Sequence, residues 1–177
     1  MADNTSYEVP NVTPIPQPTS KTCWLACYQM LFKFVKQPLP DIDSKLTTAF
    51  GATVYDSIVN ETGLLDEHLM RAAGALGFSG MPKSVLADFD KFTNYLRLSG
   101  PLMCTGTFSF RKVTGLHAVI ICGYNTDFKT LTMIDPYYEV SPSDVKKYPI
   151  SHSLLIGKLR EVQFSNQGWW VTPAPVI

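Results

Sequence analysis

The order of its periodic segments constrains the fold of this chain more than any other feature. Up to Gly100, three segments place apolar residues at helical spacing, and each ends at a glycine or proline. The first of them, CWLACYQMLFKFV from Cys23, is apolar nearly all round, which predicts a helix buried on almost every side. Beyond Gly100 come short β-rich runs bounded by turn residues: PLMCTGTF, HAVIICGY, LTMIDPYY and REVQF.

Helices followed by strands predict an α+β fold, with an N-terminal helical half packed on a C-terminal antiparallel sheet half. The polar gap NTDFKT between the second and third runs predicts a hairpin turn. Near the end of the chain, GWWVTPAPVI predicts an edge strand that stops at its prolines. Residues 44–60 are ambiguous and indicate one short helix. We expect a site in the cleft between the two halves.

The charge balance excludes several classes of partner. The 15 basic and 15 acidic side chains leave no net charge, and no basic cluster stands out. Attraction to nucleic acid or to an anionic membrane surface therefore has no electrostatic basis. The longest apolar runs are too short to span a bilayer, so we expect no membrane insertion. Residues 1–12 have neither the basic nor the apolar region of a Sec signal peptide, which predicts cytoplasmic synthesis and leaves export by a dedicated secretion system open.

Proline placement suggests a boundary near the start of the chain. Four of the thirteen prolines fall within residues 1–19, among polar residues. This composition predicts a Pro-rich leader over residues 1–16, extended or disordered, ahead of a single domain spanning residues 17–177. Several interpretations of the leader stay open: it is a linker from an upstream fusion, it is an export signal, it occupies the cleft of the domain, or the domain cleaves it off.

The four cysteines lack the spacing of a zinc site, whose ligands come in two close clusters, so we expect no metal and no cofactor. Cys104 and Cys122 lie in apolar runs and are predicted to be buried thiols. Cys23 stands at the predicted N-terminus of the first helix, where the helix dipole and unpaired N–H groups stabilise a thiolate. Cys27 lies one turn deeper and is predicted to be inert.

A nucleophilic cysteine needs a base delivered by the fold. His117 opens the most hydrophobic strand, and Asp135 ends the strand after it. If NTDFKT is a hairpin turn, both lie at the same open end of the two strands, where Asp135 can fix the tautomer of the imidazole. Asp135 has the alternative role of starting a turn before Pro136. His68 is predicted to face solvent on a helix, and His152 is a weaker candidate that follows a proline-bearing loop.

Two motifs resemble those of the papain-like cysteine peptidases. In QPTSKTCW, Gln17 precedes Cys23 by six residues and Trp24 follows it directly. In HAVIICGY, His117 begins a strand that ends in Gly-Tyr, and the order Cys, His, Asp is that of the family. Papain has Asn-Ser-Trp where this chain has Asp135 followed by proline. The Asp-Pro pair is more similar to bacterial branches of the family, namely secreted effector proteases and the peptidase domains of bacteriocin-exporting transporters.

The resemblance implies a papain-like fold and a role for each motif residue. Cys23 would be the nucleophile, His117 the carrier of the proton, and Asp135 the group that orients His117. Gln17 would form the oxyanion hole together with the backbone N–H of Cys23. Trp24 would pack near the catalytic groups. The tandem tryptophans could shield the bond between histidine and aspartate, although a core or edge-strand role is the alternative: Trp169 and Trp170.

The function implied is hydrolysis of peptide bonds in a protein substrate through an acyl-thioenzyme, in a bacterial effector or toxin. The resemblance adds a cognate inhibitor or immunity protein to the expected partners, and the oligomeric state is not predicted. Two alternatives stay open. One is a papain-fold amidase, deamidase or transglutaminase that acts on protein glutamine or on peptidoglycan amides. The other is a binding module that keeps the fold without the activity.

Overall fold

The structure of this chain is a computed structural model that describes residues 5–35, 41–81, 86–110, 113–137, 141–161 and 170–173. None of the helices in these ranges is long and apolar enough to cross a membrane. The helices are α1 (Cys23–Phe34), α2 (Ile42–Phe50), α3 (Ala52–Ser57), α4 (Asp66–Leu76), α5 (Phe89–Ser99) and α6 (His152–Glu161), with a π-helical turn at Ile58–Thr62 and a 3-10 turn at Pro142–Asp144. The strands are β1 (Ser6–Glu8), β2 (Phe78–Met81), β3 (Leu102–Phe110), β4 (Val113–Asn125), β5 (Thr130–Ile134), β6 (Lys147–Ser151) and β7 (Trp170–Pro173).

The strands form one antiparallel sheet in the order β2-β7-β3-β4-β5-β6, with β1 paired to β4. The predicted α+β class, helices first and an antiparallel sheet second, is confirmed. Strand β4 turns through residues 126–129 into β5, so the hairpin predicted from NTDFKT is confirmed as well. The edge position predicted for the GWWV strand is wrong, because β7 lies between β2 and β3 and pairs with both.

Alternate residues of β4 enter two different cores, since successive side chains of a strand point to opposite faces. Ala118, Ile120 and Cys122 belong to the core that contains α1. Val119 and Ile121 belong to a second core that contains buried residues of α5 and α6. Eight of the twelve residues of α1 are buried, as its continuous apolarity predicted. Each large apolar side chain buried in this way contributes roughly 1.5–3 kcal/mol, which holds the helix firmly against the sheet.

The N-terminal segment, residues 5–16, packs into the domain rather than leading up to it. Strand β1 pairs with the end of β4, and Val9 and Val12 are buried in the core with α1. Gly123 permits the approach, because a Cβ there would lie 2.7 Å from the carbonyl oxygen of Tyr7. The packed unit therefore begins before residue 17, which corrects the predicted boundary between leader and domain.

Some helix predictions hold and others fail for identifiable reasons. Within their described residues, the two helices predicted before Gly77 and Gly100 are present as α4 and α5, and both glycines have positive φ. Residues 44–60 hold most of α2, all of α3 and the start of the π-helical turn instead of one helix, because Gly51, with φ of 85°, separates α2 from α3. The strand predicted for REVQF is wrong at Arg160 and Glu161, which end α6, and its remainder lies outside the described residues.

Candidate active site

Cys23 lies at the N-terminus of α1 because the chain makes a tight turn just before it. The carbonyl of Thr22 accepts the N–H of Ala26 at 3.1 Å, which starts the helix. Cys23 is the first helical residue, so its N–H is one of the first-turn groups with no acceptor inside the helix. Its side chain borders a cleft of about 350 Å³ and is 8% exposed. The thiol is thus largely shielded from solvent but reachable from the cleft.

His117 also lines this cleft and is held by Asp135. The Nε2 atom of His117 donates to Oδ1 of Asp135 at 2.6 Å, and the same oxygen accepts the N–H of Tyr137 at 2.9 Å. Both side chains are buried. Asp135 directly follows β5, so the antiparallel pairing of β4 with β5 delivers the carboxylate to the ring. Since Nε2 is occupied by Asp135, Nδ1 is the ring nitrogen left for the hydrogen bond with Cys23.

The surroundings of His117 favour its charged form. Burial lowers the pKa of His117, but hydrogen bonds to Asp135 and Cys23, together with the negative charges of these groups, outweigh burial and raise the pKa to about 10. The imidazole is therefore protonated through neutral pH, which places a cation beside the thiol. A cation in this position stabilises a thiolate.

Gln17 is buried and makes hydrogen bonds to two segments, the turn before Cys23 and the loop that carries Asp135. Its Nε2 donates to the carbonyl of Thr19 at 2.7 Å, in the turn that leads into α1. Its backbone N–H donates to the carbonyl of Pro136 at 2.9 Å, in the loop that carries Asp135. The structure thus brings Cys23, His117 and Asp135 together, and it links Gln17 to the turn before Cys23 and to the loop that carries Asp135.

The other three cysteines lie in different surroundings. Burial raises the pKa of Cys27 well above its ordinary value, and the nearby Cys23, Asp135 and Cys104 add to the shift. Burial alone raises the pKa of Cys104, and burial is the main cause that raises the pKa of Cys122 to about 12. These thiols are neutral at physiological pH, so Cys23 is the cysteine placed for nucleophilic chemistry.

The other two histidines have different partners. The Nε2 atom of His152 shares a hydrogen bond of 2.7 Å with the carbonyl of Leu86, and its ring packs edge-on against Phe89. The ring of His68 packs edge-on against Phe50 at 5.2 Å. Across the described ranges, no group of three or more His, Cys, Asp or Glu side chains is arranged to hold a metal ion.

A comparison with family models decides the family of this chain. The model described as "Papain-like cysteine protease AvrRpt2" matches residues 3–149, a stretch that contains Gln17, Cys23, His117 and Asp135. The chain belongs to this family. It is a cysteine-dependent peptidase, so the alternative of a binding module without activity is not supported. Among curated proteins, none matches the chain.

The fold of this papain-like protease is also similar to a solved structure. Xylellain, a cysteine protease from Xylella fastidiosa, superposes with a TM-score of 0.53 over 97% of this chain and 87% of its own length. The two sequences are 9% identical, so the match supports the papain-like α+β fold.

The cleft of this papain-like protease has walls that the sequence motifs did not indicate. One wall is apolar and comes from the segment that enters α4, with Leu64, Leu65 and Leu69. The opposite wall comes from β3 and β4 and includes Leu116, which is 43% exposed. These residues belong to no motif, and a leucine near a loop is indistinguishable in sequence from a core leucine. Only the fold shows that they face the cleft.

Of the three tryptophans singled out in the sequence, the structure describes the side chain of Trp24 alone. Trp24 is buried, lines the cleft, and donates from Nε1 to the carbonyl of Lys21 at 2.9 Å. It therefore belongs both to the core and to the wall beside Cys23. Trp169 lies outside the described residues. Trp170 is described only by its backbone, which pairs with Cys104 in β3, so the predicted shielding of the bond between His117 and Asp135 remains a prediction.

Proposed function

We propose that this peptidase cleaves peptide bonds with Cys23 as nucleophile, His117 as proton carrier and Asp135 as the group that orients His117. One observation carries the proposal: the bond of 2.6 Å between Nε2 of His117 and Oδ1 of Asp135, with Cys23 on the other side of the same ring. This order of groups is what a thiolate–imidazolium pair with a fixed tautomer requires.

Acylation begins when the thiolate of Cys23 attacks the carbonyl carbon of the scissile peptide bond. The carbonyl oxygen becomes an oxyanion, which the backbone N–H of Cys23 and the side-chain amide of Gln17 stabilise. His117 then gives its proton to the leaving amine, the C–N bond breaks, and the first product departs. Removal of one oxyanion donor typically costs about 10²–10³ in rate.

Deacylation returns the protein to its starting state. Neutral His117 takes a proton from water, and the hydroxide attacks the thioester carbon. The thiolate leaves, and the second product is released as a carboxylic acid. Asp135 keeps Nε2 protonated throughout, so that Nδ1 remains the nitrogen that exchanges protons with Cys23, amine and water.

The cleft favours a polypeptide as substrate. Its lining includes Leu64, Leu65, Leu69 and Leu116, and apart from Cys23 and His117, Lys21 is the one charged side chain among the described residues that line it. Apolar walls of this kind bury amino-acid side chains, whereas the glycan of peptidoglycan presents mainly hydroxyl groups. This supports cleavage of a protein over cleavage of peptidoglycan amides.

The test is cleavage of a proteome-derived peptide library by wild-type protein, with products identified by mass spectrometry in water labelled with ¹⁸O. We expect new C-termini that carry ¹⁸O, since water completes the hydrolysis. Cys23→Ala should produce none. Cys27→Ala is the matched control on the same helix and should retain cleavage, because Cys27 is fully buried and one turn below the cleft.

Other outcomes would revise the proposal. Glutamine converted to glutamate without backbone cleavage would point to a deamidase, and cross-linked glutamine to a transglutaminase. Loss of cleavage in Cys27→Ala with retention in Cys23→Ala would reassign the nucleophile. The effector role, export by a dedicated secretion system and a cognate inhibitor stay predictions, which a secretion assay and affinity capture on Cys23→Ala test.

A further inference from the structure

The turn between Gln17 and Cys23 is held together by hydrogen bonds that meet at Thr19. The carbonyl oxygen of Thr19 accepts three of them: from Nε2 of Gln17 at 2.7 Å, from Oγ1 of Thr22 at 3.1 Å and from the N–H of Thr22 at 3.3 Å. In the reverse direction, the N–H of Thr19 donates to Oγ1 of Thr22 at 2.9 Å. Thr22 thus holds Thr19 from both sides.

Thr22 uses its hydroxyl in an unusual way for its position. It is the residue before the first turn of α1, where a threonine side chain commonly accepts an N–H of that turn. Here the hydroxyl makes no such bond and instead points back to Thr19. Thr22 is only 2% exposed, whereas Thr19 is exposed, so the network is shielded from water on the side of Thr22 alone. Helix α1 therefore has no side-chain cap from Thr22, and the hydroxyl of Thr22 instead connects the two ends of the turn.

The amide of Gln17 depends on this connection. Within the described residues, Oε1 of Gln17 is buried and has no hydrogen-bond partner. The bond from Nε2 to the carbonyl of Thr19 is therefore what fixes the rotation of the amide. With one Nε2 proton engaged there, the second proton is the one available to an oxyanion.

We propose that Thr22 is a positioning residue for the oxyanion hole, which acts through the carbonyl of Thr19 on the amide of Gln17. The inference rests on the proposed function, because it assumes that Gln17 binds the oxyanion. Thr22 does not line the cleft, although its neighbours Lys21 and Cys23 do. Its hydroxyl keeps the carbonyl of Thr19 in place, and that carbonyl aims the free proton of Gln17 at the site where negative charge develops.

The experiment compares Thr22→Val with Thr22→Ser, each made in the wild-type protein and in Gln17→Ala. Thr22→Val keeps the shape of the side chain and removes the hydroxyl, whereas Thr22→Ser keeps the hydroxyl. The kcat and KM are measured on the best peptide found in the library. We expect Thr22→Val to lower kcat about 10-fold with KM little changed, since the oxyanion exists only in the transition state. Thr22→Ser should restore most of kcat.

The Gln17→Ala background separates positioning from general damage. Gln17→Ala alone should lower kcat about 10²–10³-fold. If Thr22 acts through Gln17, Thr22→Val should then lower kcat no further, because residues that act as one unit are not additive. Thermal unfolding of each variant verifies its fold, and if Thr22→Val does not fold, Thr22→Ala takes its place in the same four-way comparison.

The outcomes separate this inference from the proposed function. An unchanged kcat in Thr22→Val, or losses that multiply in the double variant, would overturn the positioning role and leave the roles of Cys23 and Gln17 intact. A wild-type kcat in Gln17→Ala would overturn the oxyanion hole itself, and the role of Thr22 with it. An inactive Cys27→Ala with an active Cys23→Ala would point to failure of the proposed nucleophile.

Discussion

His117 and His152 are held in nearly the same way and differ in the charge of the group that holds them. Nε2 of His117 meets Asp135 at 2.6 Å, and Nε2 of His152 meets the carbonyl of Leu86 at 2.7 Å. Each ring also packs edge-on against a phenylalanine, Phe108 for His117. A carbonyl fixes the orientation of a ring, whereas a carboxylate fixes it and also stabilises a positive charge on it.

The second difference lies at the other ring nitrogen. His117 borders the cleft together with Cys23, whose thiol helps to raise the pKa of His117, whereas His152 starts α6 and its ring contacts Phe89 and Phe92. At least partial burial and one good hydrogen bond are therefore common to both histidines. A charged partner and a neighbouring thiol are what distinguish His117, the histidine to which we assign the catalytic role.

Replacement of each histidine by alanine should give the largest contrast. We expect His117→Ala to lower kcat/KM on the order of 10⁴-fold, because it removes both the proton carrier and the cation beside Cys23. His152→Ala should leave kcat/KM near the wild-type value, with a loss of stability from the vacated contacts. Peptide cleavage and thermal unfolding measure the two effects. Equal losses of activity in two folded variants would contradict the assignment of different roles to His117 and His152.

Cysteine alkylation should show the next largest effect. An unperturbed cysteine with a pKa of about 8.5 is less than about 1% thiolate at pH 6. We expect iodoacetamide at pH 6 to label Cys23 and to leave unmodified the three cysteines whose pKa burial raises: Cys27, Cys104 and Cys122. The labelling is mapped by peptide mass spectrometry.

The same assay on the histidine variants identifies the cause. His117→Ala should slow the labelling of Cys23 at pH 6 by about 10²-fold, because the thiolate loses its cation. His152→Ala should not change it. Labelling of Cys23 that rises only near pH 8 in the wild-type protein, regardless of His117, would show that the ion pair does not form in the free protein.

The variant Asp135→Asn gives His117 a neutral hydrogen-bond partner, like the carbonyl that holds His152. It therefore tests whether the negative charge of Asp135 is what distinguishes the two histidines. Asp135 raises the pKa of His117, so its replacement should lower that pKa. In the proposed mechanism the pair is active while His117 is protonated, so we expect an alkaline limb of kcat/KM near pH 10 in the wild-type protein, which should move to lower pH in Asp135→Asn. A pH profile of kcat/KM measures the shift, and an alkaline limb that stays in place would contradict the role assigned to Asp135.

The sequence predicted the parts of the site that depend on local periodicity and pairing. The helix start at Cys23 and the hairpin that joins β4 to β5 follow from apolar spacing and from the turn NTDFKT, and together they place Cys23, His117 and Asp135. One detail differs, since β4 starts four residues before His117, at Val113. The family motifs then assigned roles to residues that spacing alone had only grouped.

What could not be predicted depends on contacts between distant segments. The packing of β1 onto β4 needs Gly123 to admit another backbone, and β7, from the far end of the chain, inserts between β2 and β3. Neither pairing leaves a local pattern. The bonds of Thr22 to Thr19 were missed for a different reason. A threonine before a helix predicts a cap, and only the structure shows that its hydroxyl turns the other way.

The smallest effect we expect is a dependence of stability on pH that the charge on His117 causes. The folded-state pKa of His117, about 10, is above the unfolded value of about 6.5. A raised pKa stabilises the folded state fully below pH 6.5, and the contribution disappears as pH rises through 10. The difference in unfolding free energy between wild-type protein and His117→Gln should therefore be largest at pH 6 and shrink at pH 8 and again at pH 10.

Urea unfolding at these three pH values measures this difference, with His152→Gln as the control. A difference that is flat or grows with pH would mean that the charge on His117 does not stabilise the fold, and that the two histidines are alike in this respect.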